Sequence, residues 1–281
     1  MKRILSILLL SVLFFSCKKD IAFTSQAVQS DLVTPGQQNV KLYKCWSVDE
    51  FSGYGPSTIV KTFYVEVANL AYQKNVYIHH LMVDGTWQDL PLTYINSIDA
   101  NTDMWELNYS YISTAPTSQA LGNQFAIKYV VNGQTYWDNN GGNNYQISGT
   151  VGMYLQNGIN VSVDTNYSYY AAYTPPSNSN FYISVDLRNI AYAKNVSVVY
   201  STDGWKTVQT APLSFPNYLI IGEETSLPNP NPFGIERWTG SITVTPSTQQ
   251  FIQFAVSYTV NGQTYWDNNF GKNYQLQVHQ Y

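Results

Sequence analysis

Apolar and polar positions alternate over short stretches of this chain. Phe63-Tyr-Val-Glu-Val67 and Phe181-Tyr-Ile-Ser-Val185 approach a period of two, and Asn75-Val-Tyr-Ile-His79 and Asn195-Val-Ser-Val-Val199 follow them after short links. A period of two sends successive side chains to opposite faces, so each stretch predicts a strand with one buried face. Phe125-Ala-Ile-Lys-Tyr-Val-Val131 runs into Asn132-Gly133 and then Gln-Thr-Tyr-Trp137. Asn-Gly tolerates the positive φ angles of a type I′ turn, so this block predicts a tight hairpin. No stretch carries a helical apolar stripe over three turns.

The pattern then repeats. Asn69-Leu-Ala-Tyr72-Gln-Lys74-Asn75-Val76 returns as Asn189-Ile-Ala-Tyr192-Ala-Lys194-Asn195-Val196, and Asp84-Gly-Thr-Trp87 as Asp203-Gly-Trp205. Val131 to Asn140, VNGQTYWDNN, recurs identically as Val260 to Asn269, and Asn144-Tyr-Gln146 as Asn273-Tyr-Gln275. The offset drifts between blocks because one turn is shorter and a Pro/Asn-rich insertion, LPNPNPFG, lengthens the second copy. Indels confined to loops between preserved blocks predict two folded copies of one domain. Some seven or eight short strands per copy predict an all-β chain: two tandem immunoglobulin-like antiparallel β-sandwich domains, over residues 38–149 and 150–281.

The chain opens differently. Lys2 and Arg3 precede an apolar run from Ile4 to Phe15, followed by Ser16 and Cys17. The run is too short for a membrane span and reads as a signal peptide. The small residue before Cys17 resembles a bacterial lipobox, so residues 1–17 predict a lipoprotein leader with acylation at Cys17. The lipid would anchor the chain to a bacterial membrane, the outer one by expectation and with a surface-facing orientation open. Residues 18–37 are polar and patternless and predict a flexible tether. A lipidated Cys17 leaves Cys45 without an intrachain partner, so stability must come from core burial.

Composition sharpens the picture in two ways. The net charge is −4, which argues against a nucleic-acid partner, since phosphate binding needs a basic patch. Charged residues make up only 11% of the chain while aromatics reach 15%, with 24 Tyr and 7 Trp. That is more flat aromatic surface than charge, and some of it is expected at the surface. Within Tyr-Trp-Asp-Asn-Asn, strand alternation puts each Tyr and Trp on opposite faces, and the expectation is Tyr136 and Tyr265 in the core with Trp137 and Trp266 in solvent. A solvent-facing indole beside short amides suits a pyranose, whose C–H face stacks on a ring and whose hydroxyls pair with an Asn that both donates and accepts. Asp138 and Asp267 are expected to hold the loop, Trp105 and Trp238 to be core, and Tyr145 and Tyr274 likewise.

These blocks resemble carbohydrate-binding module family 21, the starch- and glycogen-binding modules. The resemblance rests on N-[LI]-A-Y-x-K-N-V, the D-G-(T)-W turn and the long YWDNN hairpin, in order and in both copies. It implies two glucan-binding patches per module. The first would pair Trp87 with Trp137 and Trp205 with Trp266, joined by Asn139 and Asn268. A further tyrosine platform found in some members is replaced here by Ala126 and Ala255. The second would centre on Tyr72 with Lys74 and on Tyr192 with Lys194, with Tyr94 and Tyr218 as loop aromatics. The implied partner is α-1,4-linked glucan, captured for a separate amylase or transporter.

Catalytic chemistry is not legible. A glycoside hydrolase needs two opposed carboxylates, and Glu106, Glu223, Glu224 and Glu236 find no match between the copies. His79 and His80 are adjacent on a strand and point to opposite faces, so they cannot readily share a metal ion. No nucleophile triad, phosphate loop, cofactor motif or phosphatase-docking motif is found, and a non-catalytic role is predicted. The alternative is a structural or adhesive sandwich, which predicts that the paired tryptophans lie buried or far apart.

Overall fold

The computed structural model describes residues 38–51, 53–172, 179–216, 219–221, 225–244 and 250–280. The expected leader, Cys17, the tether and Tyr218 lie outside these residues.

The first copy is built from β1 (Val40–Glu50), β2 (Thr58–Ala68), β3 (Lys74–Met82), β4 (Trp87–Pro91), β5 (Thr93–Ser97), β6 (Thr102–Ile112), β7 (Leu121–Val131), β8 (Gln134–Asp138) and β9 (Tyr145–Gln146). A short strand, β10 (Gly152–Leu155), leads into the second copy. That copy comprises β11 (Val161–Val163), β12 (Tyr169–Ala172), β13 (Ser179–Arg188), β14 (Lys194–Ser201), β15 (Gln209–Pro212), β16 (Leu219–Ile221), β17 (Thr225–Leu227), β18 (Ile235–Val244), β19 (Phe251–Val260), β20 (Gln263–Asp267) and β21 (Tyr274–Gln280).

Each copy is an immunoglobulin-like antiparallel β-sandwich. In the first, one sheet runs β10-β1-β2-β6-β5 and the other β4-β3-β7-β8, with β9 added beside β7. The second repeats the plan, with β13 and β18 in one layer and β15-β14-β19 in the other. Its layers are joined at one edge by β12 and β21, which pair in parallel. Asn132 and Gly133 both take positive φ, 52° and 72°, as the type I′ hairpin requires, and Asn261 and Gly262 repeat this at 50° and 75°.

The inward face of each alternating strand fills the core. Phe63 meets Phe125 edge-on at 4.9 Å, and Phe181 meets Phe254 at 4.9 Å. Tyr129 and Tyr258 are fully buried, yet their hydroxyls reach backbone carbonyls, of Ala68 at 2.7 Å and Arg188 at 2.9 Å. Both carbonyls close the strand that leads into the Ala-Tyr block. Burying each such ring stabilises the fold by about 2–3 kcal/mol.

Asp138 and Asp267 hold more than their own loops. Asp138 accepts from the backbone of Asn140 at 3.2 Å, from the Tyr145 hydroxyl at 2.8 Å and from the Leu42 N–H of the opposite sheet at 2.8 Å. Asp267 likewise takes Asn269, Tyr274 and Val163 N–H, the last at 2.6 Å. Tyr145 is buried, as expected, and Tyr274 packs against the second core.

The copies meet along β1. Strand β10 lies just beyond the expected boundary at 149/150 but pairs with β1 of the first copy. Its Met153 and Leu155 share a small apolar core with Trp46, Val48, Leu227 and Ile235. The connection is therefore common property of both sandwiches. Arg237 lies 4.0 Å over the Trp46 ring and is ion-paired with Asp186 at 2.6 Å and with Asp164. Asn231 donates to the Val151 and Met153 carbonyls at 2.8 and 2.6 Å. The insertion that lengthens the second copy supplies Leu227 and Asn231, so it builds this junction.

Candidate functional site

Strand order assembles the first patch. In the sheet β4-β3-β7-β8, Trp87 starts the outermost strand and Trp137 lies on the strand at the other edge. Between them, His79 of β3 pairs with Asp89 of β4 on one side and Ala126 of β7 on the other, and Lys128 pairs with Trp137. These residues share the outward face. Trp87 is 39% exposed and Trp137 45% exposed. Their rings lean toward His79, which stacks on Trp87 at 4.9 Å and 15° and meets Trp137 edge-on at 5.3 Å. Ala126 is small enough to leave a floor. The result is a shallow cleft of about 370 Å³ lined by His79, Trp87, Ala126, Trp137, Asn139 and Asn144.

Polar contacts set the posture of the cleft. His79 Nδ1 lies 2.7 Å from Asp89 Oδ1, and Lys128 Nζ lies 2.5 Å from Asp89 Oδ2. Burial pushes the Asp89 carboxyl up, but the hydrogen bonds from Lys128 and His79 outweigh it and hold Asp89 below the usual carboxylate range. Lys128 Nζ in turn stands 5.8 Å from the centre of the Trp137 ring. Asn139 caps the loop, its side-chain Oδ1 accepting from Gly142 N at 3.0 Å, and its amide N–H₂ has no protein partner among the described residues.

The second copy keeps its tryptophan on β20 but leaves Trp205 in the turn before β15, where Trp87 begins a strand. Trp266 pairs with Ser257 where Trp137 pairs with Lys128, and Val199 stands opposite Ala255 where His79 stands opposite Ala126. Trp205 and Trp266 are half-buried, short of the solvent-facing platforms expected of them and less open than Trp87 and Trp137. The shorter turn forces Trp205 to a φ of 66°, held by its N–H bonding to Ser201 Oγ at 2.9 Å. Asn268 caps its loop through Gly271 N at 2.9 Å, as Asn139 does.

The Ala-Tyr blocks present the most exposed rings of the molecule's described part. Tyr72 is 98% exposed and Tyr192 fully so, on turns with no packing to hold the rings down. Their lysines sit otherwise. Lys74 and Lys194, which the family resemblance puts beside the tyrosines in the second patch, have side chains only 5% and 3% exposed and already ion-paired. Lys74 pairs with Asp103 and with Asn69 Oδ1 at 2.5 Å, and Lys194 pairs with Glu236 and Asn189 Oδ1, both at 2.7 Å. They brace the turn that lifts the tyrosine. Glu236 therefore does have a counterpart, Asp103, which differs in type and so was not legible as a match.

Tyr94, 48% exposed, meets Trp105 edge-on at 5.9 Å beside this turn. In the second copy the equivalent pair is Phe215 with Trp238, at 5.8 Å. Trp105 and Trp238 are half-buried, with one side on the core, rather than wholly internal. Phe215 and His79 are the aromatics that sequence reasoning missed. Each belongs to a patch only through strand pairing. Tyr136 and Tyr265 pack against the cores beneath Tyr129 and Tyr258, as the alternation predicts.

His80 is fully buried on the opposite face from His79, and no group of three or more His, Cys, Asp and Glu side chains arranged for a metal occurs among the described residues. Asp164 and Asp186 are buried on Arg237 and do not line a groove.

A β-sandwich that sets exposed tryptophans beside short amides in an open, shallow cleft has the build of a carbohydrate-binding module. The comparison with known families agrees. The model of the carbohydrate/starch-binding module (family 21) matches residues 36–148 and 170–277, and the chain belongs to that family, with two copies of the module. Among curated proteins, the mouse protein phosphatase 1 regulatory subunit 3E is 32% identical over 93 residues, and the human regulatory subunit 3B is 36% identical over 86 residues. These matches cover 33% and 30% of this chain and only 29% and 30% of those relatives. Among solved structures, the starch-binding domain of Rhizopus oryzae glucoamylase, in complex with β-cyclodextrin and maltoheptaose, is 26% identical; the alignment covers 42% of this chain and 99% of that one, with a TM-score of 0.29.

Proposed function

We propose that the chain binds α-1,4-linked glucan (starch, glycogen or maltooligosaccharides) without transforming it. The observation that carries this reading is the first-copy cleft, where Trp87 and Trp137 stay exposed and are bridged by His79, with Asn139 at the rim. Stacking of sugar faces on indoles supplies affinity, and the amides supply direction. A protein-contact or packing role would leave these rings buried or apart. Tyr72 and Tyr192 form second, smaller platforms on the Ala-Tyr turns.

We also propose a cell-surface setting. A lipid on Cys17 would tether the modules to a bacterial membrane by residues 18–37, and two modules on one polymer would raise avidity by roughly 10²–10⁴-fold. Glucan so held would lie close to a separate amylase or transporter.

The test is retention on insoluble starch, with cellulose as control. Wild type is expected to be retained on starch alone. The quadruple variant Trp87→Ala, Trp137→Ala, Trp205→Ala, Trp266→Ala, with its fold verified by circular dichroism, is expected to lose most of that retention. Retention of wild type on neither polymer overturns the function. Undiminished retention of the variant moves the site to Tyr72 and Tyr192.

A further inference from the structure

His79 is not needed to build the sandwich. It stands on the solvent face of β3, whereas the core position beside it is His80. It is nevertheless the most constrained polar group in the cleft. Its ring is stacked on Trp87 and abuts Trp137, and its Nδ1 is tied to Asp89. Asp89 is kept ionised by Lys128 and His79, and an ionised carboxylate only accepts, so Nδ1 donates to it. That leaves Nε2, which has no partner among the described residues, on a ring that lines the cleft. A hydrogen-bonding atom already fixed between two stacking platforms loses little entropy when a ligand arrives. The second copy has no such group, because Val199 occupies the equivalent register opposite Ala255.

We propose that His79 is a sugar-contacting residue peculiar to the first copy. Its Nε2 accepts a hydrogen bond from a hydroxyl of the glucose unit stacked on Trp87 and Trp137, and this makes the first copy the tighter and more selective of the two. The inference rests on the glucan reading above. Asp89 and Lys128 act behind it as positioning residues: Asp89 sets the imidazole tautomer, and Lys128 ties Asp89 to the Trp137 side of the cleft.

The experiment is a titration of the ¹⁵N-labelled full chain with maltoheptaose, reading the indole N–H signals of Trp87 and Trp266 and the imidazole nitrogens of His79. In wild type, the His79 Nε2 signal is expected to move with the Trp87 signal, and the Trp87 titration to give a Kd about tenfold below that at Trp266. His79→Val is expected to raise the Trp87 Kd about tenfold and bring the two copies level. His79→Phe keeps a ring between the tryptophans but no nitrogen, and is expected to bind as weakly as His79→Val. His79→Gln, which restores a polar side chain, is expected to recover part of the loss. If His79→Phe binds as wild type does, or if Nε2 stays still while Trp87 titrates, His79 is a packing wedge and the inference fails while the glucan reading stands. If neither indole responds to maltoheptaose, the glucan reading fails with it.

Discussion

At the scale of single residues, exposure and charge pairing separate the groups proposed to meet a ligand from those that hold the turn beneath them. Tyr72 is almost wholly exposed, while Lys74, two residues on, is buried against Asp103. Tyr72→Ala is therefore expected to weaken starch retention with a change in stability within about 0.5 kcal/mol. Lys74→Ala strands the buried Asp103 carboxylate and is expected to cost about 3–5 kcal/mol, read as a shift in the urea midpoint. Equal stability of the two variants would contradict this division. The tyrosine was legible in the repeated Ala-Tyr motif. The lysine's burial was not, since its partner Asp103 lies on the opposite sheet and is a glutamate in the second copy.

At the scale of the element, β3 shows how alternation divides one strand between two tasks. His79 serves the cleft, and His80, one residue on, is buried between Phe63 and Phe125, with Lys61 nearby. Burial, reinforced by the Lys61 charge, pushes the His80 imidazole down to about 3. Its ordinary value is 6.5, so between pH 6.5 and 3 the unfolded chain binds the proton and the folded chain does not. Stability contributed by neutral His80 is present above pH 6.5 and is lost as pH falls toward 3. From pH 7 to pH 5 the loss is expected to reach about 2 kcal/mol. The second copy has Tyr200 at this register, facing Phe254 as His80 faces Phe125. His80→Tyr is expected to remove that part of the acid sensitivity in urea melts at the two pH values. An unchanged difference between them would show that other groups carry it. Alternation along β3 was readable from the sequence and assigned the two histidines to opposite faces. Which face met tryptophans was not readable, because it depends on β4 and β8.

At the scale of the whole molecule, the two sandwiches are joined by an apolar and charged seam. Trp46, Met153, Leu155 and Leu227 pack together, and Arg237 lies over Trp46 while holding Asp164 and Asp186. Such a seam is expected to couple the copies and to set the angle between the proposed glucan faces, on which engagement of both by one polymer depends. Wild type is expected to unfold in a single transition. Arg237→Met leaves two buried carboxylates unpaired and is expected to cost about 3–5 kcal/mol and to split unfolding into two steps followed by intrinsic fluorescence. Two transitions already present in wild type would show that the seam does not couple the copies.

Local pattern was enough for the β class, the tandem copies, the type I′ hairpins, the aspartates that hold the YWDNN loops and the exposure of Trp137, Tyr72 and Tyr192, but not for His79 or Phe215. These are local properties: periodicity says which face a side chain takes, turn residues say where the chain reverses, and repetition says that a block is a unit. Tertiary structure alone decided which of those faces adjoin. His79 lies 58 positions from Trp137 in the chain and 5.3 Å from it in space, a neighbour brought in by the order β4-β3-β7-β8. The same holds for Lys74 with Asp103, for Phe215 with Trp238, and for β10, which closes on β1 because its apolar side chains find a core there. Strand pairing is non-local, and it is set by the summed burial of two whole sheets rather than by any segment's own pattern.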